Sequence, residues 1–541
     1  VFLSMNIRHV FEMLPSKTAS AIAVGLVAGL TLVFAGCDSV TDFEEINQNP
    51  NDPTTAPSPQ ILSGLLANFS YQVAGNEAVR TPSLWVQQAS QNADPPNINN
   101  YQYQTADPNN LWEAWLYAGA IKDARVLQDK ARSEENFATV GIGQLIEAWS
   151  WMITTDLFGR IPVQEALQSD VTNPTYDDQS VAYDTVFAKL SRARQNLQQG
   201  NDEPLGSADL LYGGNVQKWL SLAWALEAKA HIHLTESGYE SGLDGSASRT
   251  ARAQAALNAA ENAFPNGNDD NAAFVYTGGE SAENPWYQFT IQNVWVTTHQ
   301  LSSNYVSLLK NQEDPRLGVQ ARQAGAIDGA QNPATSGAPD FSRVPFNPSV
   351  HFSPDDSTYV GHENGTDAIG DENVSSIGTY YSAPGAPLIW MNYAEVKFIE
   401  AEARAITGQG DAAAAYEEGI RASLGQLNVT SLSGVDQTFV DNFVSEQMTD
   451  YNNASDKVRE IIEEKYIANF LGLEPFNDWR RTGYPSLQPA DNAVTEGGVI
   501  PRRFPYPESE LNNNADNVPT GLGQGVNALD TPVGWDPTSS N

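Results

Sequence analysis

One cysteine, Cys37, stands in 541 residues, which excludes a disulfide framework and any metal site built from several thiolates. Basic residues are scarce as well: 29 Lys+Arg face 66 Asp+Glu, for a net charge of -37. Spread over the surface of a folded monomer of this mass, that excess leaves about one uncompensated negative charge per 500 Å². Such a surface repels phosphate backbones and argues against nucleic-acid binding. Lysine is scarcer than arginine and the acids run along the whole chain, a pattern that resembles the salt-adapted proteins of halophiles. Disorder would also fit high net charge, but 10% aromatics and regular apolar spacings indicate a packed core. The chain lacks G-x-x-x-x-G-K-[ST], H-E-x-x-H and G-x-S-x-G, so none of the common phosphate-cradling or hydrolytic motifs is present.

Long apolar runs are missing except for one. From Thr18 to Gly36 there is no charge, the stretch Ala21 to Phe34 is mostly apolar, and Arg8 and Lys17 precede it. This is the pattern of a secretory signal, with Met5 or Met13 as candidate initiators. It ends Phe34-Ala35-Gly36-Cys37, small residues before a cysteine as in the lipobox of bacterial lipoproteins, where the cysteine carries the lipid. The alternatives are a buried free cysteine and an uncleaved membrane helix, which wants about 20 apolar residues. We therefore expect residues 1–36 to be a lipoprotein signal peptide and 37–60, acidic and rich in Pro and Asn, to be a flexible tether. Acyl chains on Cys37 would then supply the membrane affinity.

Residues 61–541 read as helices separated by polar loops. Leu145, Ala148, Trp149, Met152 and Ile153 recur at the spacing of one buried helical face, as do Trp219, Leu222, Ala223, Leu226 and Ala230. Val396, Ile399, Ala403 and Ile406 mark a third helix. Gly408 and Gly410 break it, and Asp411 caps the next. That pair resembles a tetratricopeptide-type hairpin, although no strict 34-residue period runs through the chain. The Gly/Pro/Ser/Asp-rich stretch 323–387 is far longer than an ordinary connection and suggests a functional surface or an insertion.

Chemistry-bearing constellations are few. His231 and His233, two apart on a helix, face different directions and read as packing histidines rather than zinc ligands. No cofactor is expected; Asn266–Asn271 and Asn364–Asp367 could hold structural calcium, but neither meets the EF-hand pattern and both read as turns. What stands out is aromatics set among amides in apparent loops: Trp85, then Asn92, Tyr101 and Tyr103, and later Trp286, Tyr287 and Trp295. Flat rings flanked by amides suit sugars, which stack C–H faces on a ring and bond hydroxyls to amides. We take these seven as candidate ligand-binding residues, with packing as the alternative for each.

Several segments together resemble the SusD/RagB family of outer-membrane nutrient-binding lipoproteins: Asp156 to Val163, Pro174 to Gln179 with Tyr183, Lys218-Trp219, Asp314 to Leu317 and Tyr393 to Ala403. Near the end, Trp479-Arg480-Arg481-Thr482-Gly483-Tyr484-Pro485 and Ile500 to Glu510 carry it furthest. The resemblance implies a mostly α fold: a single large domain of four tetratricopeptide-like hairpins with long loops and few short strands. It implies a non-enzymatic protein anchored through Cys37 at the outer-membrane surface, binding oligosaccharides or other nutrient polymers. It also implies a SusC-like TonB-dependent β-barrel transporter as partner, for which this chain would be a lid. The alternative is a secreted, lipid-anchored hydrolase using a carboxylate pair that no sequence feature selects. Arg480, Arg481, Arg502 and Arg503 are expected to pair with carboxylates and pin the C-terminal segment.

Overall fold

Ten helices set the framework of the protein, in chain order α1 Lys122–Ser133, α2 Phe137–Phe158, α3 Gln179–Gln199, α4 Val216–His233, α5 Arg249–Ala260, α6 Tyr393–Thr407, α7 Ala412–Gln426, α8 Gln437–Asn453, α9 Lys457–Ala468 and α10 Glu474–Thr482. Each packs on the next in that order, which is how tetratricopeptide-like hairpins stack. The computed structural model describes residues 56–200, 204–237, 248–279, 281–290, 299–324, 352–353, 356–370, 373–522 and 525–540. Cys37, the signal segment, most of the tether and Trp295 lie outside them. The chain from Pro57 onward forms one compact unit. Its first helix, Ser58–Asn68, opens before the boundary expected at residue 61, with Ile61, Leu62, Leu65 and Leu66 already buried.

Local chemistry explains the hairpin of α6 and α7. Gly408 takes φ +68° at the end of α6, a left-handed conformation that suits glycine. The Asp411 carboxylate then accepts the Ala414 N–H at 3.0 Å and caps α7. Asn392 does the same for α6 through the Glu395 N–H, at 2.7 Å.

α2 departs from the one-sided stripe that its sequence suggests. Every residue from Ala138 to Phe158 is buried, because α1 and α3 cover it from two sides. Its one mid-helix charge, Glu147, is neutralised from both neighbours: Arg125 Nε lies 2.8 Å away on α1 and Lys189 Nζ 2.6 Å away on α3, while Gln128 donates at 2.8 Å. Such full pairing is what makes a buried carboxylate tolerable.

Strands are few and short. β1, Ala89–Gln91, pairs antiparallel with β3, His299–Leu301, with Ser90 opposite Gln300; β2, Ala272–Val275, pairs antiparallel with β4, Pro387–Met391. Single bridges from Gln300 to Ser376 and from Ala321 to Ile377 extend the first pair sideways. The long stretch between α5 and α6 thus contributes β2, β3 and β4, and ties the loop after β1 to the segment around residue 322.

Candidate functional site

The six described members of the predicted site are all buried, which corrects the expectation that their rings face a ligand. Trp85 is 0% exposed at the end of the Glu77–Trp85 helix. Its ring meets Tyr103, Phe476 and Phe504 edge-on, with centroids 5.5, 5.7 and 5.2 Å away. The Tyr103 hydroxyl donates to Glu77, and the Tyr101 hydroxyl accepts the Ala490 N–H at 2.9 Å. Trp286 and Tyr287 are buried on the short helix Pro285–Thr290. Stacking on a sugar needs an open ring face, and these rings present none. Asn92 is buried too, exchanging hydrogen bonds of 2.9 and 2.8 Å with the Ile369 backbone. The amides that made the stretch look like a sugar site are spent within the chain: Gln88 donates to the Tyr466 carbonyl at 2.6 Å and accepts the Leu471 N–H at 2.8 Å.

A buried ionic network joins α2, α4, α6, α9 and α10. His233 lies between Asp156 and Glu474, at 3.2 and 2.9 Å. Lys229 pairs with Glu395 at 2.7 Å, and Lys465 bridges Glu474 and Asp478 at 3.1 and 3.0 Å. Arg481 closes the network on Asp478 at 2.6 Å and on both oxygens of Glu402. Burial alone would push the His233 imidazole down; Glu474 and Asp156 outweigh it and lift its pKa to about 9. Sequence reasoning treated His233 as packing and missed this electrostatic role, because its partners lie 77 and 241 residues away. The four C-terminal arginines divide: Arg481 and Arg502 take carboxylates, Arg502 meeting Asp536 at 2.6 Å. Arg480 instead donates to the carbonyls of Asp156 and Arg502 at 2.6 and 2.9 Å, and Arg503 to that of Phe158.

Two concavities accompany this framework. One, of about 70 Å³, lies between Trp149, Trp390 and Phe470 on its apolar side and Lys229, His233 and Glu474 on its charged side. It is far below the ~300–1,000 Å³ of ligand pockets. The other, about 420 Å³, is lined by Thr105, Tyr506, Leu511, Val518 and Leu522. Its size is adequate, but its walls are mainly apolar. Two of its polar side chains are engaged elsewhere: the Tyr506 hydroxyl donates to the Arg160 carbonyl at 2.7 Å and Arg503 Nε to that of Phe504 at 3.1 Å. Neither presents an exposed row of amides and carboxylates to a hydroxyl-rich ligand.

A third surface does. The loop after β1 exposes Asp94, Asn97, Gln102 and Gln104, and the segment 362–370 exposes Glu363, Asp367 and Ile369. Buried Asn92 fastens the two together through Ile369, while Asn364 donates to the carbonyls of Leu84 and Ala89 at 3.2 and 3.1 Å. Asn92, expected to touch ligand, is thus a support of the polar face that its neighbours form. Among the described residues, no cluster of His, Cys, Asp and Glu is arranged for a metal ion and no helix is long and apolar enough to cross a membrane.

Comparison with known proteins agrees with this architecture. A SusD/RagB family protein from Bacteroides thetaiotaomicron superposes with a TM-score of 0.73 at 21% identity, over 89% of this chain and 99% of that one. A SusD homologue from Bacteroides fragilis gives 0.69 at 22%, over 89% and 99%. A chitin-binding SusD homologue from Flavobacterium johnsoniae gives 0.66 at 20%, over 88% and 98%. A search of the curated proteins gives no match. The SusD-like family model, described as starch-binding and associating with the outer membrane, matches residues 50–507, and the chain belongs to that family.

Proposed function

We propose that this protein is a non-enzymatic, cell-surface binding lipoprotein that captures oligosaccharides and delivers them to a TonB-dependent β-barrel transporter, held to the outer membrane through Cys37. The family match over residues 50–507 carries the reading, and the chitin-binding relative of the same fold supports a glycan as ligand. The polar face of residues 94–104 and 363–369 is where we place the sugar. Hydroxyls would meet the exposed amides and carboxylates of Asn97, Gln102, Asp94 and Asp367 in water-tolerant hydrogen bonds. The hydrolase alternative gains nothing from Asp156 and Glu474, which are both closed off by His233, Glu474 also by Lys465. The test is metabolic labelling with a radioactive fatty acid, followed by solubilisation and affinity capture from outer membranes. Label that depends on Cys37, together with a co-purifying β-barrel, is expected. An unlabelled protein, or one captured without a barrel, would refute the anchor or the partner respectively.

A further inference from the structure

Arg322 is a buried cation that, unlike Arg480 with its carbonyl acceptors at 2.6 and 2.9 Å, has little to bond to. The side chain is 7% exposed. Its Nε is sealed from solvent without a partner, and among the described residues its one side-chain hydrogen bond goes from Nη2 to Ser382 Oγ at a long 3.3 Å. No carboxylate among the described residues pairs with it. Arg316, six positions earlier, shows the usual arrangement: Asp314 at 2.6 Å and Glu464 at 2.7 Å hold its guanidinium. Burial alone acts on Arg322 and pushes its pKa down to about 10, whereas the carboxylates around Arg316 push that one up. A desolvated guanidinium without a counter-charge is costly. It is all the odder in a chain with 66 acidic residues.

The surroundings supply further unused polarity. The Arg322 N–H donates to the Ser376 carbonyl at 2.8 Å, so Ser376 is its backbone neighbour, and the Ser376 hydroxyl is likewise buried without a partner. Ser376 bridges Gln300 of β3, and β3 pairs with β1, whose following loop is the polar face described above. Arg322 therefore belongs to the same strand assembly as that face.

We propose that Arg322, with the hydroxyl of Ser376, receives an anionic group borne by the saccharide: the carboxylate of a uronic acid or a sulfate ester. The proposal rests on the reading of the protein as a glycan binder and narrows its ligand to acidic oligosaccharides. A planar guanidinium beside a hydroxyl suits an oxyanion in geometry and charge. The binding of that anion would also replace the missing counter-charge.

Calorimetry at constant ionic strength on the full chain and on Arg322→Gln tests this, with three probes: an oligogalacturonate, a neutral chitooligosaccharide and inorganic sulfate. We expect the oligogalacturonate to bind about tenfold or more weakly to the variant, the worth of one charge-assisted bond, while the neutral sugar is unaffected. Without ligand, Arg322→Gln should melt no lower than the parent, since it removes an unpaired buried charge. Equal affinity of both proteins for the oligogalacturonate overturns the proposal. A clear drop in the variant's melting temperature overturns it too, because it would show that Arg322 is paired within the chain. Inorganic sulfate binding as tightly as the acidic sugar would reassign the site to a free oxyanion. In each of these cases, retained affinity for the neutral sugar leaves the glycan-binding reading standing. Absence of binding by either sugar would instead remove that reading itself.

Discussion

His233 Nε2 lies 2.9 Å from Glu474 Oε1, fully buried at the junction of α4 and α10, with Asp156 on the other ring nitrogen at 3.2 Å. The imidazole is held protonated, with a pKa lifted to about 9 against about 6.5 in the unfolded chain. A group whose folded pKa is raised contributes stability that is complete below its unfolded pKa and lost as pH climbs through the folded one. The loss should therefore fall between pH ~6.5 and ~9 and amount to roughly 3 kcal/mol. Urea midpoints should decline across that window, and His233→Gln, less stable at its lower end, should show a flatter profile. Parallel profiles for the two proteins would contradict the assignment.

Arg481 should tolerate no substitute. It binds both oxygens of Glu402 and reaches Asp478 at 2.6 Å, all out of water. Arg481→Ala leaves buried carboxylates unpaired and should cost about 3–5 kcal/mol in urea unfolding. Arg481→Lys, which keeps the charge and loses the fork, should recover only part of that. Full recovery by lysine would mean that charge alone matters there.

Trp85 separates packing from binding. Its burial predicts that Trp85→Ala lowers stability by about 3–5 kcal/mol, whereas Trp85→Phe keeps most of the stability and all of the glycan affinity. A Trp85→Phe protein that melts near the parent but no longer binds sugar would restore the ligand role that the sequence suggested.

Much of the fold was legible because its signals are local. Gly408, Gly410 and Asp411 announce a helix end and a helix start within a few residues, and the structure places them so. α2 was legible as a helix but not as a central one, since what covers its second face comes from α1 and α3. The site was harder. Gln88 looks like a ligand amide until α9 arrives, and the Tyr466 carbonyl that takes it is 378 residues away. Trp85 beside it is ambiguous for a similar reason: Phe476 and Phe504, whose rings cover it, lie far along the chain. Arg322 carried no signal at all: an arginine lacking a carboxylate is defined by what fails to fold next to it.

Salt should matter throughout. With a net charge of -37, self-repulsion weakens the compact state in dilute buffer, and molar salt screens it to about 3 Å. The melting temperature should rise steadily from millimolar to molar sodium chloride. A flat response would show that the acidity is structurally neutral and remove the likeness to salt-adapted proteins.

The central claim is that the protein binds a glycan at its polar loop face and leaves it intact. Calorimetry with chitin- and starch-derived and acidic oligosaccharides, followed by chromatography of the recovered sugar, tests it most directly. The account predicts saturable binding of at least one of them, recovered uncleaved. It also predicts an approximately tenfold loss of affinity in the Asn97→Ala, Gln102→Ala double variant, whose melting temperature should not change. Shortened products, or a double variant that binds as well as the parent, would contradict it.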